Sequence, residues 1–376
     1  MDLEGAIVVQ STDVSSRLEK KRKTDGSSSS SSRPYEVLIS MPLSEKGEWD
    51  DVERWYIMKI HADAVDSAEG SISEVWRHRM PEFNPTFALL GSDLYSVGGR
   101  RFTSDSYGCP HLIGNVYKVN IRHPAGNWIP VKSMICPRMF PHILVLGGKL
   151  YVLSGCRDSP SGVSDLAPGG EVYDPITDLW EALPDPPCHM GIQILSGALE
   201  NPDRILVASL SRPEFQHGRI ITPQYRSLAN FFIYEVQSCS WKMLDPASRK
   251  LHKFPIGPFM GRSVAVGNYL YWITIDFKLL AYDFESDLWL TGWIEGLDLP
   301  APGYERPRLP RLFHLEKERF CIIKFTTVRD PPRRLLHCIL FDVSPVPEKN
   351  NLCTSFVSNF KYETPGPTVL ANGLII

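Results

Sequence analysis

The chain has 376 residues, of which 43% are hydrophobic and 11% aromatic, with nine Trp and 31 Pro. This length buries a core, and the composition favours short strands joined by tight turns. A net charge of −3 and a pI near 6.4 exclude nucleic-acid binding through bulk positive charge, and no apolar run is long enough to predict a membrane-spanning helix.

Residues 1–33 form a polar segment with the basic run Lys20-Lys21-Arg22-Lys23 and the serine tract Ser27 to Ser32. Such a segment cannot offset its ordering entropy by burial, so a disordered tail is expected. The basic run is a nuclear-import candidate. The first residues, MDLEGAIVVQSTD, lack the basic region and apolar core of a secretory leader. The expectation is a soluble protein of the cytoplasm, the nucleus or both, with no membrane partner.

From Pro34 the pattern changes to strands and continues to residue 376, so 34–376 is read as one domain. YEVLIS (Tyr35 to Ser40), RWYIMKIH (Arg54 to His61) and EVWRHR (Glu74 to Arg79) make a first unit without an opening strand. A second unit begins FALLGSDLYSVGGR at Phe87. The third, Phe140 to Pro187, is the clearest: Ile143 to Leu146, Leu150 to Leu153 and Glu171 to Tyr173 are strand-length runs, and Trp180 centres a fourth. Gly147-Gly148 suits a two-residue hairpin turn, where both residues need positive φ. Asp174-Pro175-Ile176-Thr177-Asp178 is a turn because Pro presets φ and Asp bonds the local backbone.

Three weaker units follow, beginning near Gly191, Val264 and Leu312. Tyr117, Tyr173, Tyr234, Tyr282 and Phe341 are taken as equivalent, at intervals of 56, 61, 48 and 59 residues. Trp180, Trp241 and Trp289 each follow their Tyr by seven, a fixed local spacing inside a drifting period, as in a repeat with variable loops. Thr368 to Ile376 (TVLANGLII) looks like the opening strand that the first unit lacks. The expectation is an all-β ring of six four-stranded antiparallel units, closed by pairing the N- and C-terminal segments.

Eight cysteines, Cys109, Cys136, Cys156, Cys188, Cys239, Cys321, Cys338 and Cys353, occur singly without C-x-x-C spacing and are read as buried reduced thiols. His142, His314 and His337 lie in apolar runs and are read as satisfied core residues. The Tyr and Trp of the units are read as packing between them.

The Gly98-Gly99 and Gly147-Gly148 doublets, the paired Leu94-Tyr95, Leu150-Tyr151 and Leu270-Tyr271, and the Tyr/Trp spacing resemble Kelch-repeat β-propellers, particularly plant proteins of the F-box/Kelch type. The resemblance covers about Pro34 to the end. The doublet after the second strand departs from the pattern, with Ser154-Gly155, Ala208-Ser209 and Thr274-Ile275 in place of Gly-Gly. The resemblance implies a six-bladed propeller working as a substrate-recognition or scaffold subunit near ubiquitin ligation. Residues 1–33 are too short and polar for a three-helix F-box, so any bridge to a ligase is expected on another protein.

Function in such a ring belongs to loops on its rims. Arginines recur where second strands end: Arg100 with Arg101, Arg157, Arg212 and Arg329. A second set, Arg138, Arg262 and Arg311, precedes first strands. The resemblance implies these eight as contacts for an acidic or phosphorylated protein segment, whose oxygens match a guanidinium fork. The alternative for each is pairing with an acid of a neighbouring blade. Glu181, Asp185 and His189 resemble the iron-site spacing of plant Kelch-type specifier proteins and define the competing reading, an iron-assisted enzyme acting on small plant defence metabolites. The reading preferred is a non-enzymatic interaction module without a cofactor.

Overall fold

A computed structural model describes residues 34–42, 52–60, 72–79, 82, 85–101, 111–123, 126–155, 168–187, 190, 194–210, 215–216, 219–220, 229–244, 263–274, 277–294, 297, 310–329, 332–363 and 372–375. The tail with Lys20, Lys21, Arg22 and Lys23 lies outside the described residues, so the boundary at 33/34 stands as an expectation.

The described strands form six antiparallel four-stranded blades. Blade one takes its innermost strand, Asn372–Ile375, from the end of the chain and its other three, Tyr35–Pro42, Val52–Ile60 and Ile72–Arg79, from the beginning. Val37 pairs with Ile375, Leu38 with Leu374, Ile39 with Gly373 and Ser40 with Asn372. Blade two is Thr86–Leu90, Asp93–Val97, Val116–Asn120 and Ile129–Val131. Blade three is His142–Leu146, Lys149–Leu153, Gly170–Asp174 and Leu179–Ala182. Blade four is Ile194–Leu199, Arg204–Leu210, Ala229–Glu235 and Ser240–Met243. Blade five is Ser263–Val266, Tyr269–Ile273, Lys278–Asp283 and Leu288–Trp293. Blade six is Arg311–Glu316, Arg319–Arg329, Pro332–Val346 and Asn351–Glu363.

The innermost strands touch one another in succession from Asn372–Ile375 through blades two to six and back, so the ring is closed. This is a β-propeller. Six apolar clusters hold it, one between each neighbouring pair of blades. Leu38, Trp55 and Leu374 of blade one meet Phe87 and Leu94 of blade two. At the other side of blade one, Val37, Tyr56 and Met58 meet Phe313, Cys321 and Phe360 of blade six. Alternating strand residues face opposite neighbours, so an edge-free ring buries both faces that one blade would expose.

The turn chemistry follows the sequence. Gly147 and Gly148 have φ of 55° and 74°, as a two-residue hairpin requires. In the turn between third and outermost strands, the residue five after the Tyr adopts positive φ: Asp178, Cys239 and Asp287 at 54°, 49° and 52°. The phenols of Tyr173 and Tyr282 donate to Asp178 and Asp287 at 2.8 and 2.7 Å. This local bond sets the seven-residue spacing, because it fixes the turn length and places Trp180, Trp241 and Trp289 opposite Tyr173, Tyr234 and Tyr282. The indoles of Trp180 and Trp241 then donate to the carbonyls of Lys132 and Pro184, at 2.8 Å each, tying each blade to the link from its predecessor.

Two register expectations are corrected. Tyr173, Tyr234, Tyr282 and Phe341 oppose Leu150, Ile205, Leu270 and Phe320, but the equivalent Leu94 opposes Val119. Tyr117 therefore lies two residues before the repeat position, on the same face because strand periodicity is two. The residue equivalent to Gly98 in blade four is Ser209, so the doublet position there is Ser209-Leu210 rather than Ala208-Ser209.

Blade six differs in size. Its last three strands extend well past their counterparts, and the start of its outermost strand adds in parallel to the outer edge of blade five, with Asn351 opposite Thr291. Gly292 permits this approach, since a Cβ there would lie 2.4 Å from the Leu352 carbonyl oxygen. Among the cysteines described, Cys136, Cys321 and Cys338 are buried free thiols as expected, whereas Cys239 and Cys353 are exposed. Cys239 surfaces because it occupies the turn position taken elsewhere by Asp, and Cys353 because it lies on an outermost strand. Cys109, Cys156 and Cys188 lie outside the described residues.

Candidate functional site: the rim of the loops after the second strands

Blade topology sends the loop between second and third strands, and the link between blades, to one rim. At that rim Gly98 and Gly99 turn the chain with φ of 65° and 114°. The Gly99 N–H donates to the Arg138 carbonyl at 2.9 Å, and a Cβ on Gly98 would lie 2.4 Å from that oxygen. The doublet is therefore the place where the link into blade three crosses blade two. Ser154 and Gly155 repeat the geometry in blade three with φ of 54° and 90°, so the serine keeps the glycine-like backbone.

After Gly99 the chain pairs briefly with itself, Arg100 opposite Leu112 and Arg101 opposite His111. Arg100 is half-buried and Arg101 exposed. Arg101 reaches the buried Glu82 at 2.6 Å, and Asn115 and the phenol of Tyr117 donate to the same Glu82 oxygen at 3.0 and 3.3 Å.

Arg138 is corrected as a partner contact. Its side chain is fully buried and paired with the equally buried Glu171 at 2.9 Å. It also donates to the carbonyls of Ser154 and Pro168 at 2.9 and 2.6 Å, while Glu171 accepts from the N–H groups of Ile135 and Cys136. Counting from Ala88 and Leu144, which oppose Tyr95 and Tyr151, Arg138 occupies the link position held by Glu82 in blade two, and Glu171 the strand position held by Tyr117. One structural position thus carries opposite charges in adjacent blades, each with a partner suited to it.

Arg311 is corrected likewise. It is the first residue of its innermost strand, buried to 8% exposure, and four positions nearer the strand than Arg138. The two arginines looked alike in sequence because link lengths hide register. Arg329 is the last residue of the second strand of blade six, and its backbone opposes Pro332. It stands nine residues after Phe320, whereas Arg100 stands six after the equivalent Leu94, so it lies farther out. Arg157, Arg212 and Arg262 lie outside the described residues. Of the metal candidates, Glu181 and Asp185 are exposed, on the outermost strand of blade three and in the link after it, and His189 lies outside the described residues.

The rim of blade six carries two lysines that sequence reasoning passed over, one on each side of His337. Lys324, His337 and Lys361 are directly opposite one another on three successive strands. The Thr326 hydroxyl and His337 Nε2 are 2.7 Å apart, and Lys324 lies over the ring of Phe277 at 5.5 Å. Burial, then the charges of Lys324 and Lys361, push the His337 pKa down to about 4. His337 is thus neutral, but only its Nε2 has a hydrogen-bond partner; the buried Nδ1 has none among the described residues, so the expectation of a satisfied core residue is met at one ring nitrogen only. His314, held down by burial, meets the Lys317 carbonyl at 2.8 Å, and His142 lies 3.4 Å from the Ser196 hydroxyl.

A family model described as the Kelch motif matches residues 137–187, the unit that is clearest by inspection. Three F-box/kelch-repeat proteins of Arabidopsis thaliana are similar to parts of the chain. One is 28% identical over 42% of this chain and 32% of its own length. A second is 26% identical over 59% and 48%, and a third 34% identical over 26% and 25%. The chain spans about a quarter to a half of the length of these curated relatives. The closed ring of four-stranded blades is a β-propeller whose third blade matches the Kelch motif, and parts of the chain are similar to F-box/kelch-repeat proteins of Arabidopsis thaliana.

Proposed function

We propose that this protein is a non-enzymatic interaction module whose rim at the ends of the second strands receives an acidic or phosphorylated protein segment. The observation that carries the reading is the placement of Arg100 and Arg101. The blade strands are committed to the six clusters between blades, whereas this pair stands at the rim with Arg101 exposed. Arg101 shares one oxygen of Glu82, and guanidinium offers five donors, so capacity for a second acid remains. Arg157, Arg212 and Arg329 extend the set by their places in the sequence, and Arg138 and Arg311 drop out because they are buried.

The similarity to proteins named F-box/kelch-repeat supports a role as a substrate-recognition or scaffold subunit beside a ubiquitin ligase. Proximity labelling in the source tissue should return an acidic protein, and a variant with Arg100, Arg101, Arg157, Arg212 and Arg329 all changed to Ala should lose it while keeping its thermal transition. Undiminished capture by the folded variant sinks the rim reading. The ligase link is tested separately, by direct binding of the purified protein to a ligase adaptor subunit.

A further inference from the structure

Cys321 and Cys338 meet sulfur to sulfur inside blade six. Cys321, on the second strand, opposes Leu340, and Cys338, on the third, opposes Ile323, so the two are diagonal neighbours on one face of the sheet. Strand twist draws such a diagonal pair together. Their Sγ atoms lie 3.1 Å apart, both residues are fully buried, and both are free thiols. Among the described cysteines no other two sulfurs meet: Cys136 and Cys239 turn theirs to the carbonyls of Pro137 and Val236. A disulfide bond is about 2.0 Å long, so each sulfur of the pair stands only about half an ångström from its bonded position. The bond would join strands that are already paired, so it forms without breaking the blade.

Both thiols face blade one. They lie in the seam where Val37, Tyr56 and Met58 of blade one meet Phe313 and Phe360 of blade six. Here Tyr362 donates across the seam to the Lys59 carbonyl at 3.1 Å, and Tyr35 donates across it to Glu316. Among the described residues, the three N-terminal strands of blade one are joined to blade six by this seam and through the short strand Asn372–Ile375 that closes the ring. A seam closed by so short a strand opens locally before the blade unfolds. While it is closed, burial and then the bond to Cys321 hold the Cys338 thiol well above its usual range, so the pair stays reduced and unreactive. Opening admits water and small oxidants to both sulfurs together.

We infer that Cys321 and Cys338 are an oxidation site that takes a peroxide when the seam opens and closes to a reversible disulfide. One thiolate attacks a peroxide oxygen, the O–O bond breaks, and the sulfur becomes a sulfenic acid as hydroxide leaves. The second thiolate attacks that sulfur, the S–O bond breaks, hydroxide leaves again and the S–S bond forms. The two thiol protons and the two hydroxides make two waters, and the peroxide takes up the two electrons that the sulfurs lose. Cys239 and Cys353 are exposed but have no cysteine sulfur beside them among the described residues, so peroxide leaves them as sulfenic or more oxidised acids.

The test treats the full chain with hydrogen peroxide under native conditions, then denatures, alkylates and digests it without reductant for mass spectrometry. A peptide linked through Cys321 and Cys338 should accumulate, and dithiothreitol should return both as alkylatable thiols. In Cys338→Ser the linked peptide should vanish, and dimedone should trap a sulfenic acid at Cys321. Leu374→Ala, which loosens the closing strand, should speed linking about tenfold or more. Urea below the unfolding transition should speed it in the unaltered chain, an arm that stands even if the variant misfolds. Two free thiols at Cys321 and Cys338 after peroxide has consumed Cys239 and Cys353 overturn the site. Linking no faster in urea or in folded Leu374→Ala overturns the seam as its route.

Discussion

Arg138 and Glu171 pair at 2.9 Å with both side chains fully buried, beneath the link that enters blade three. A buried ion pair is held against its desolvation cost by further hydrogen bonds, here two carbonyls for the arginine and two N–H groups for the carboxylate. Removing one partner strands the other charge. Arg138→Met should cost about 3–5 kcal/mol in denaturant unfolding, and adding Glu171→Leu should recover part of that loss. An Arg138→Met protein with unchanged stability would show that the pair holds nothing together.

The crossing at Gly98 makes a second test. Ala there meets both a left-handed φ of 65° and an oxygen 2.4 Å away, whereas Ala at Gly148 meets the φ of 74° with open space around it. Gly98→Ala should lower stability by more than about 2 kcal/mol and Gly148→Ala by about 1 kcal/mol. Thermal melts of the two variants side by side decide this, and equal losses would contradict the crossing.

Ring closure rests on a short strand. Leu374 is fully buried beside Leu38, Trp55 and Phe87, so Leu374→Ala should cost about 2–5 kcal/mol. Amide exchange should rise first at Val37 to Ser40, the residues that pair with the last strand. Exchange that rises uniformly around the ring would show that the closure is not a separate weak point.

His337 links stability to acid. Its folded pKa, lowered to about 4 from 6.5, lies below the unfolded value, so the unfolded chain binds the proton first. Its contribution is complete above pH ~6.5 and fades as pH falls towards ~4, by at most roughly 3 kcal/mol in all once solvent screening is allowed for. His337→Gln should flatten that part of the stability profile. An identical pH dependence in the variant would assign the acid sensitivity elsewhere.

Much of the fold was legible because the unit carries its own local chemistry. Gly147-Gly148 announces a turn, and Tyr173 with Asp178 fixes the distance to Trp180. The missing strand of the first unit was legible from the surplus Thr368 to Ile376. Equivalence failed where one face offers two positions, as at Tyr117 and Val119. Period-two alternation makes such neighbours indistinguishable without the partner strand.

The rim was less legible. Arg138, Arg311 and Arg101 are all arginines near strand ends, yet the first two are enclosed and the third is exposed. Burial depends on what crosses above, and here that is a link whose path no local pattern encodes. The length of the last three strands of blade six also escaped notice, because neither turn residues nor apolar spacing sets where a strand stops.

By itself the sequence determined the repeating unit, the number of blades and the strand that closes the ring, since each follows from turn residues and apolar spacing within about fifty residues. Only the tertiary structure decided which charges are structural and which face outward. That depends on contacts between segments distant in the chain, such as Glu171 with Arg138.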